Sequence, residues 1–292
     1  MRIEKVYVNT HRYDLFFTRL CIVSVRYWYP DIPLFLIVDY SSGPFPSQSF
    51  CRKWSVQLLD THKQKYGWGF GKFEPLFPEK REKFLVLDAD TVMTGPVIDK
   101  LNEYGADFIV DKEVQPPEKL ASLYYDPEKL ADIWKDFTYP GYTFNTGQWV
   151  GTSGLLNKGD FADLVEWNPS PALIYPACFK QADQGIFNFL IHRKESHGQV
   201  SVDRTSLMVW PDNGAGDFID IKAIRERRPD YPFVIHWAGM KFKRPEAFPR
   251  NDIMQFYLDY YYSRSGILQR VSDFILSTYL AIEKKIRRRL KR

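Results

Sequence analysis

The sequence predicts an α/β protein built on a mixed, mostly parallel Rossmann-type sheet flanked by helices. Three observations carry that expectation. Unbroken apolar runs of strand length recur, at PLFLIVD (33–39), FLVLDA (84–89) and DFIV (107–110). Strands covered on both faces read this way because neither face meets water. Segments with helical spacing separate them, and Thr10, Asp39, Asp88 and Asp90 fall at the carboxyl ends of the strand candidates, where sheets of this kind bind ligands. With 292 residues, 45% of them hydrophobic, the chain has material for one large unit or two small ones.

In chain order, EKVYVN (4–9) is the first strand candidate and Arg12 to Tyr27 a helix. PLFLIVD and WSVQLL (54–59) are the next strands, followed by FLVLDA and DFIV. PEKL occurs at 117–120 and 127–130; each reads as Pro at a first helical position, with Asp126 capping the second helix. YTFNTGQWVGTSG (142–154) sets Gly147, Gly151 and Gly154 around Asn145 and Thr146, a pattern that lets backbone approach a ligand or simply turns between strands. NPSPALIYP (168–176) reads as a loop. QADQGIFNFL (181–190) opens a helix with Asp183 and Gln184, where N-capping by Asp183 is the plain alternative. VIHWAGMKFKRP (234–245) puts His236 after a short apolar strand, ahead of Gly239, Lys241 and Lys243.

The last segment, 266–292, spaces Ile267, Leu268, Val271, Phe274, Ile275, Thr278, Ile282 and Ile286 as one helical stripe. It carries eight Lys/Arg against two acids, a local net charge of +6, which leaves −2 on the preceding 265 residues. Two readings stay open: a helix packed on the body with cations at its negative end, or an amphipathic basic helix lying on an anionic membrane surface. A near-neutral body argues against wrapping by nucleic acid, so no nucleic-acid partner is expected. No apolar run approaches the length of a membrane span, and the N-terminus enters a strand pattern without an apolar leader. Cys21, Cys51 and Cys178 are widely spaced and read as reduced thiols. The expected location is cytoplasmic, peripheral at the inner face of a membrane if the terminal helix docks there.

The acids of FLVLDADTVMTG (84–95) need an explanation of their own. Two neighbouring carboxylates repel unless a cation or shared proton lies between them. Mg²⁺ or Mn²⁺ would suit such hard oxygen ligands and leave positions open for phosphate. A rival reading is a haloacid-dehalogenase-type phosphatase with Asp88 as nucleophile. That chemistry requires a further acidic strand end downstream; GDFAD (159–163) and GDFID (216–220) come nearest, and neither follows an apolar strand.

Taken in order, the D-x-D at 88–90, F-N-T-G at 144–147, D-Q at 183–184 and H-W-x-G-x-K at 236–241 resemble the metal-dependent GT-A glycosyltransferases, in particular the retaining enzymes of glycosyltransferase family 8. The resemblance spans roughly residues 4–245. It implies a GT-A-like domain over 1–250 and a Mn²⁺- or Mg²⁺-dependent transfer from a nucleotide sugar; the helical pattern above adds a tail over 251–292. The donor would be a UDP-sugar, the acceptor a glycan or lipid-linked glycan of the cell envelope, and the stereochemistry retained. By the same resemblance Asp88, Asp90 and His236 hold the metal, Lys241 contacts the diphosphate and Asn145 lines the sugar pocket. Asp183 holds sugar hydroxyls, Gln184 sits near the anomeric carbon, Lys72 faces the donor, and Asn9 and Thr10 lie by the nucleoside. The sequence departs from the family's pattern twice. Gly185 stands where a second Asp is frequent, and Phe242 takes the usual lysine position, with Lys241 and Lys243 on either side. A catalytically silent nucleotide-sugar-binding module with the same fold is the remaining alternative.

Overall fold

The computed structural model describes residues 1–67, 69–113, 115–180, 182–240 and 245–290. The chain opens with β1 (Ile3–His11), passes a 3₁₀ turn at Arg12–Asp14 into α1 (Leu15–Trp28), and returns as β2 (Leu34–Asp39). Helix α2 (Gln48–Trp54) leads into the edge strand β3 (Val56–Leu58). Next come β4 (Lys83–Asp88) and β5 (Thr91–Met93), with only Ala89 and Asp90 between them. They are followed by α3 (Val97–Leu101), β6 (Phe108–Asp111), α4 (Pro117–Leu123), α5 (Pro127–Ile133) and β7 (Gln148–Thr152). A small hairpin, β8 (Val165–Glu166) with β9 (Ala172–Leu173), precedes α6 (Asp183–Ser196). The remainder is β10 (Val202–Thr205), β11 (Met208–Val209), α7 (Ile221–Arg225), β12 (Val234–His236), α8 (Asn251–Ser265) and α9 (Ile267–Leu290).

Seven strands form the central sheet in the order β10–β6–β7–β4–β1–β2–β3. Only β7 runs against its neighbours, antiparallel to both β4 and β6. The sheet is therefore mostly parallel, as the apolar runs predict, and β7 makes it mixed, as the GT-A resemblance implies. Side chains alternate faces along each strand, and two cores result. Val6 and Val8 of β1, with Leu85 and Leu87 of β4, pack under α1 and α8. Tyr7, Phe84 and Val86 point the other way, into an aromatic core with Phe187 and Phe189 of α6. A second sheet, β11–β12–β5, leans on this frame, with β12 antiparallel to β5 and His236 opposite Thr91.

Several local expectations change. WSVQLL is not one strand: Trp54 closes α2, and only Val56–Leu58 pair with β2. Asp183 does not cap α6; the N-cap position is Ala182, and the carboxylate points into a buried network instead. Helix α8 buries Ile253, Met254, Tyr257 and Tyr261 in the first core. The stripe on α9 turns away from the body, leaving Phe274 74% and Ile275 63% exposed. No described helix is long and apolar enough to cross a membrane.

Candidate functional site: an acidic corner in a cleft

The acidic pair occupies a corner between two sheets. β4 ends at Asp88, the chain turns through Ala89 and Asp90, and β5 starts at Thr91. A turn, and not strand periodicity, brings the two carboxylates together. Three backbone bonds fix the corner: Asp88 N–H donates to the Gly147 carbonyl (2.6 Å), Ala89 N–H to that of Asn9 (3.1 Å), and Trp237 N–H to that of Asp90 (3.0 Å). The corner is thereby tied to β1, to the entry of β7 and to the exit of β12. Pairing of β12 with β5 then delivers His236 to the same point.

Asp88, Asp90 and His236 each offer a ligand atom, and these atoms all lie within 4.8 Å of one another. Asp90 and His236 are buried, at 3% and 2% exposure. His236 Nε2 lies 3.3 Å from Asp90 Oδ1, yet neither ring nitrogen makes an aligned hydrogen bond among the described residues. Burying an imidazole without partners is unfavourable. Two carboxylates and one imidazole suit a divalent ion such as Mn²⁺ or Mg²⁺, so the residues present fit the metal that the resemblance implies.

Lys72 approaches the corner from the 3₁₀ segment Phe70–Leu76. Its Nζ lies 2.6 Å from Asp183 Oδ2 and 3.2 Å from Asp88 Oδ2, and donates to the Thr146 carbonyl at 3.1 Å. Burial works against the charge, but Asp183 and then Asp88 outweigh it and hold the ammonium up at about 12. Gly69, at φ +82°, permits this arrangement: a Cβ there would meet the Asp183 carboxylate at 2.7 Å and Lys72 Cε at 2.9 Å.

A chain of amides continues from Asp183. Asn145 Oδ1 accepts from Gly147 N–H (2.7 Å), Asn145 Nδ2 donates to Gln184 Oε1 (3.1 Å), and Gln184 Nε2 donates to the Leu123 carbonyl (3.3 Å). Gln184 is thus held at both ends. Gly185 has a steric origin: a Cβ would meet the Lys180 carbonyl at 2.7 Å and the Tyr124 carbonyl closer still. The α4–α5 region packs so tightly there that no larger residue fits.

All of these groups open onto one cleft of about 770 Å³. It takes in Asn9, Thr10, Lys72, Asp88, Asp90, Asn145, Asp183, Gln184 and His236, so every expected site residue but one is brought together. The exception, Lys241, lies outside the described residues, as does Lys243. Thr10 lines the cleft, but its hydroxyl faces α1, 2.7 Å from Thr18 Oγ1. None of the acids of GDFAD or GDFID lines the cleft. Asp163 instead pairs with Arg193 and Asp220 caps α7.

The cleft also contains residues that the sequence motifs do not mark, among them His11, Asp14, Tyr66 and Trp210. Asp39, legible only as a strand end, accepts from the N–H groups of Ser41, Tyr66 and Gly67 and so anchors the loop that leads to Lys72. Trp210 stacks on His236, with ring centroids 5.1 Å apart and planes 17° from parallel.

No family model matches the sequence, and no curated protein matches it either. Solved structures do. The apo structure of the bifunctional glycosyltransferase WbbM superposes with a TM-score of 0.58 at 12% identity, covering 90% of this chain and 52% of that one. The galactosyltransferase LgtC, solved with donor and acceptor sugar analogues, gives a TM-score of 0.55 at 14% identity and covers 90% and 97%. GlyE of Streptococcus pneumoniae gives 0.52 at 12%, covering 88% and 60%. The chain thus spans about half the length of the WbbM chain and nearly all of LgtC. At these identities the likeness establishes the fold, which is GT-A-like.

Proposed function

We propose that this chain is a metal-dependent glycosyltransferase that moves a sugar from a nucleotide sugar, a UDP-sugar by the resemblance, to a glycan or lipid-linked glycan acceptor. The observation that carries the reading is the Asp88–Asp90–His236 corner on the wall of a cleft, in a GT-A-like fold. A Mn²⁺ or Mg²⁺ ion held there would supply positive charge against the departing diphosphate. Lys72, whose charge is secured by Asp183 and Asp88, adds to the same field. The carboxyl end of β1 offers Asn9 and Thr10 for the nucleoside, while Asn145 and Asp183 are assigned to the sugar. Gln184 carries an amide and Asp183 is engaged with Lys72 and Thr146; retention of stereochemistry is proposed from the resemblance alone. A membrane-facing role for α9 would set the cleft near a lipid-linked acceptor.

The test is incubation with a panel of nucleotide sugars and Mn²⁺. Metal-dependent release of a nucleoside diphosphate is the expected outcome. Phosphate release from simple esters would favour the phosphatase, and binding without turnover would leave a silent module. Asp90→Asn and His236→Ala should each weaken Mn²⁺ and donor binding together, because each removes a ligand from one ion. Their effects should be strongly non-additive in the double variant. Titration calorimetry on the two single variants and the double decides this; an unchanged Mn²⁺ affinity in His236→Ala would remove His236 from the ligand set.

A further inference from the structure

The His236 side chain is held by packing. Its backbone is fixed by the β12–β5 pairing, but a ring can still turn about two side-chain torsions. Metal-binding histidines are ordinarily oriented by a hydrogen bond from the second ring nitrogen to a carboxylate or carbonyl. Here Nδ1 has no such partner among the described residues, and the ring is buried. Two residues outside the H-W-x-G motif occupy the space that a hydrogen bond would otherwise control. Trp210, just beyond β11, lies flat against the imidazole at 5.1 Å and 17°. Gly147, at the entry to β7, abuts the Nδ1–Cε1 side; a Cβ there would meet Nδ1 at 2.8 Å and Cε1 closer still. Gly147 cannot yield easily, because its N–H is bonded to Asn145 and its carbonyl accepts from Asp88 N–H.

We infer that Trp210 and Gly147 form a clamp that sets the plane of the His236 ring, making both positioning residues for the metal corner. The inference rests on the metal reading above. Stacking resists tilting of the ring out of its plane, and Gly147 resists rotation toward β7. The same backbone that closes this clamp also bonds Asp88, so the two halves of the ligand set share one support. A ligand held this way loses affinity when its support is softened, even though no ligand atom is removed.

The test uses the full-length protein with Trp210→Leu, Trp210→Phe and Gly147→Ala, each checked for an intact thermal transition. Removing an outer support of a metal ligand typically costs about 10- to 100-fold in affinity. Trp210→Leu and Gly147→Ala should therefore bind Mn²⁺ at least about 10-fold more weakly by calorimetry, and Trp210→Phe, which keeps a flat ring, should restore most of the loss. A second readout needs no metal. In metal-free protein, the Hε1 proton resonance of His236 should carry the ring-current displacement of Trp210, lose it in Trp210→Leu and keep part of it in Trp210→Phe. Wild-type affinity in Trp210→Leu, or a His236 resonance that does not move, overturns the clamp. If the wild type takes up no Mn²⁺, the metal reading fails, and the clamp is judged on the resonance alone.

Discussion

At Lys72 an ammonium with 3% exposure faces two carboxylates, and the chain reaches this geometry only because Gly69 carries no side chain. Removing one partner of a buried pair leaves the other charge uncompensated, which costs far more than the pair contributes. Lys72→Met should therefore lower the unfolding free energy of metal-free protein by about 3 kcal/mol. Adding Asp183→Asn should recover most of that loss. Urea unfolding of the two single variants and the double measures the coupling, and a Lys72→Met protein as stable as the wild type would mean that the pair is loosely held. The motif residues were legible as an ordered set at characteristic separations; singly, only Asp88, Asp90 and His236 follow an apolar strand run. Trp210 and Tyr66 were not legible: they reach the cleft through pairing and loop contacts between segments far apart in sequence. The bland alternative for Asp183, an N-cap, failed because Lys72 and Thr146 compete for the same oxygens.

Among the elements, α6 carries a titration that the site does not use. His192 is buried beneath Tyr125, Tyr142 and Phe144, with Nδ1 2.7 Å from the Tyr125 hydroxyl. Burial, aided by Arg204, pushes its pKa down to about 3. In the unfolded chain it titrates near 6.5, so between those values the unfolded state binds the extra proton. The stability that His192 contributes is complete above about pH 6.5 and is lost as the pH falls toward 3, by at most ~1.4 kcal/mol per pH unit. His192→Gln should flatten that dependence between pH 7 and 5 relative to the wild type in urea titrations. Parallel slopes for the two proteins would show that the ring gains a proton while folded. The elements themselves were legible in proportion to their burial. β2, β4 and β6 are continuous apolar runs, β1 shows only through the VYV at its centre, and α4 and α5 announce themselves by Pro at the first helical position. β5, β11 and β12 are two or three residues long. They are held by pairing within one small sheet, and only β12, the short apolar run at His236, shows in the local pattern.

For the whole molecule, the open question is what covers α9. The helix sits on the body by the side that carries Asp273, Leu276, Leu280 and Glu283. Asp273 pairs with Arg19 at 3.0 Å, Glu283 with Arg12 at 2.9 Å, and Leu280 is buried. Outward it presents Ile267, Leu268, Val271, Phe274, Ile275, Tyr279, Ile282 and Ile286, all exposed. Apolar patches of this extent on one helix mark an interaction surface. Lys and Arg crowd the last nine positions of the sequence, and an anionic bilayer complements both features, each basic residue near it contributing ~1 kcal/mol. Docking would also be rigid, because Arg12 holds α9 from the 3₁₀ turn whose Asp14 lines the cleft. Removing everything after Ser265 is a poor test, since it would unpair Arg12 and Arg19 and lower the melting temperature for reasons unrelated to lipid. Phe274→Glu combined with Ile275→Glu is cleaner: both side chains face solvent, so the thermal transition should stay near that of the wild type. Co-sedimentation with anionic vesicles should be strong for the wild type, weaker at high salt, and lost in the double variant. Wild-type protein indifferent to anionic lipid, or a double variant that still sediments with it, would leave the stripe to another partner. Concentration-dependent self-association of the wild type that the double variant abolishes would identify that partner as a second copy of this chain.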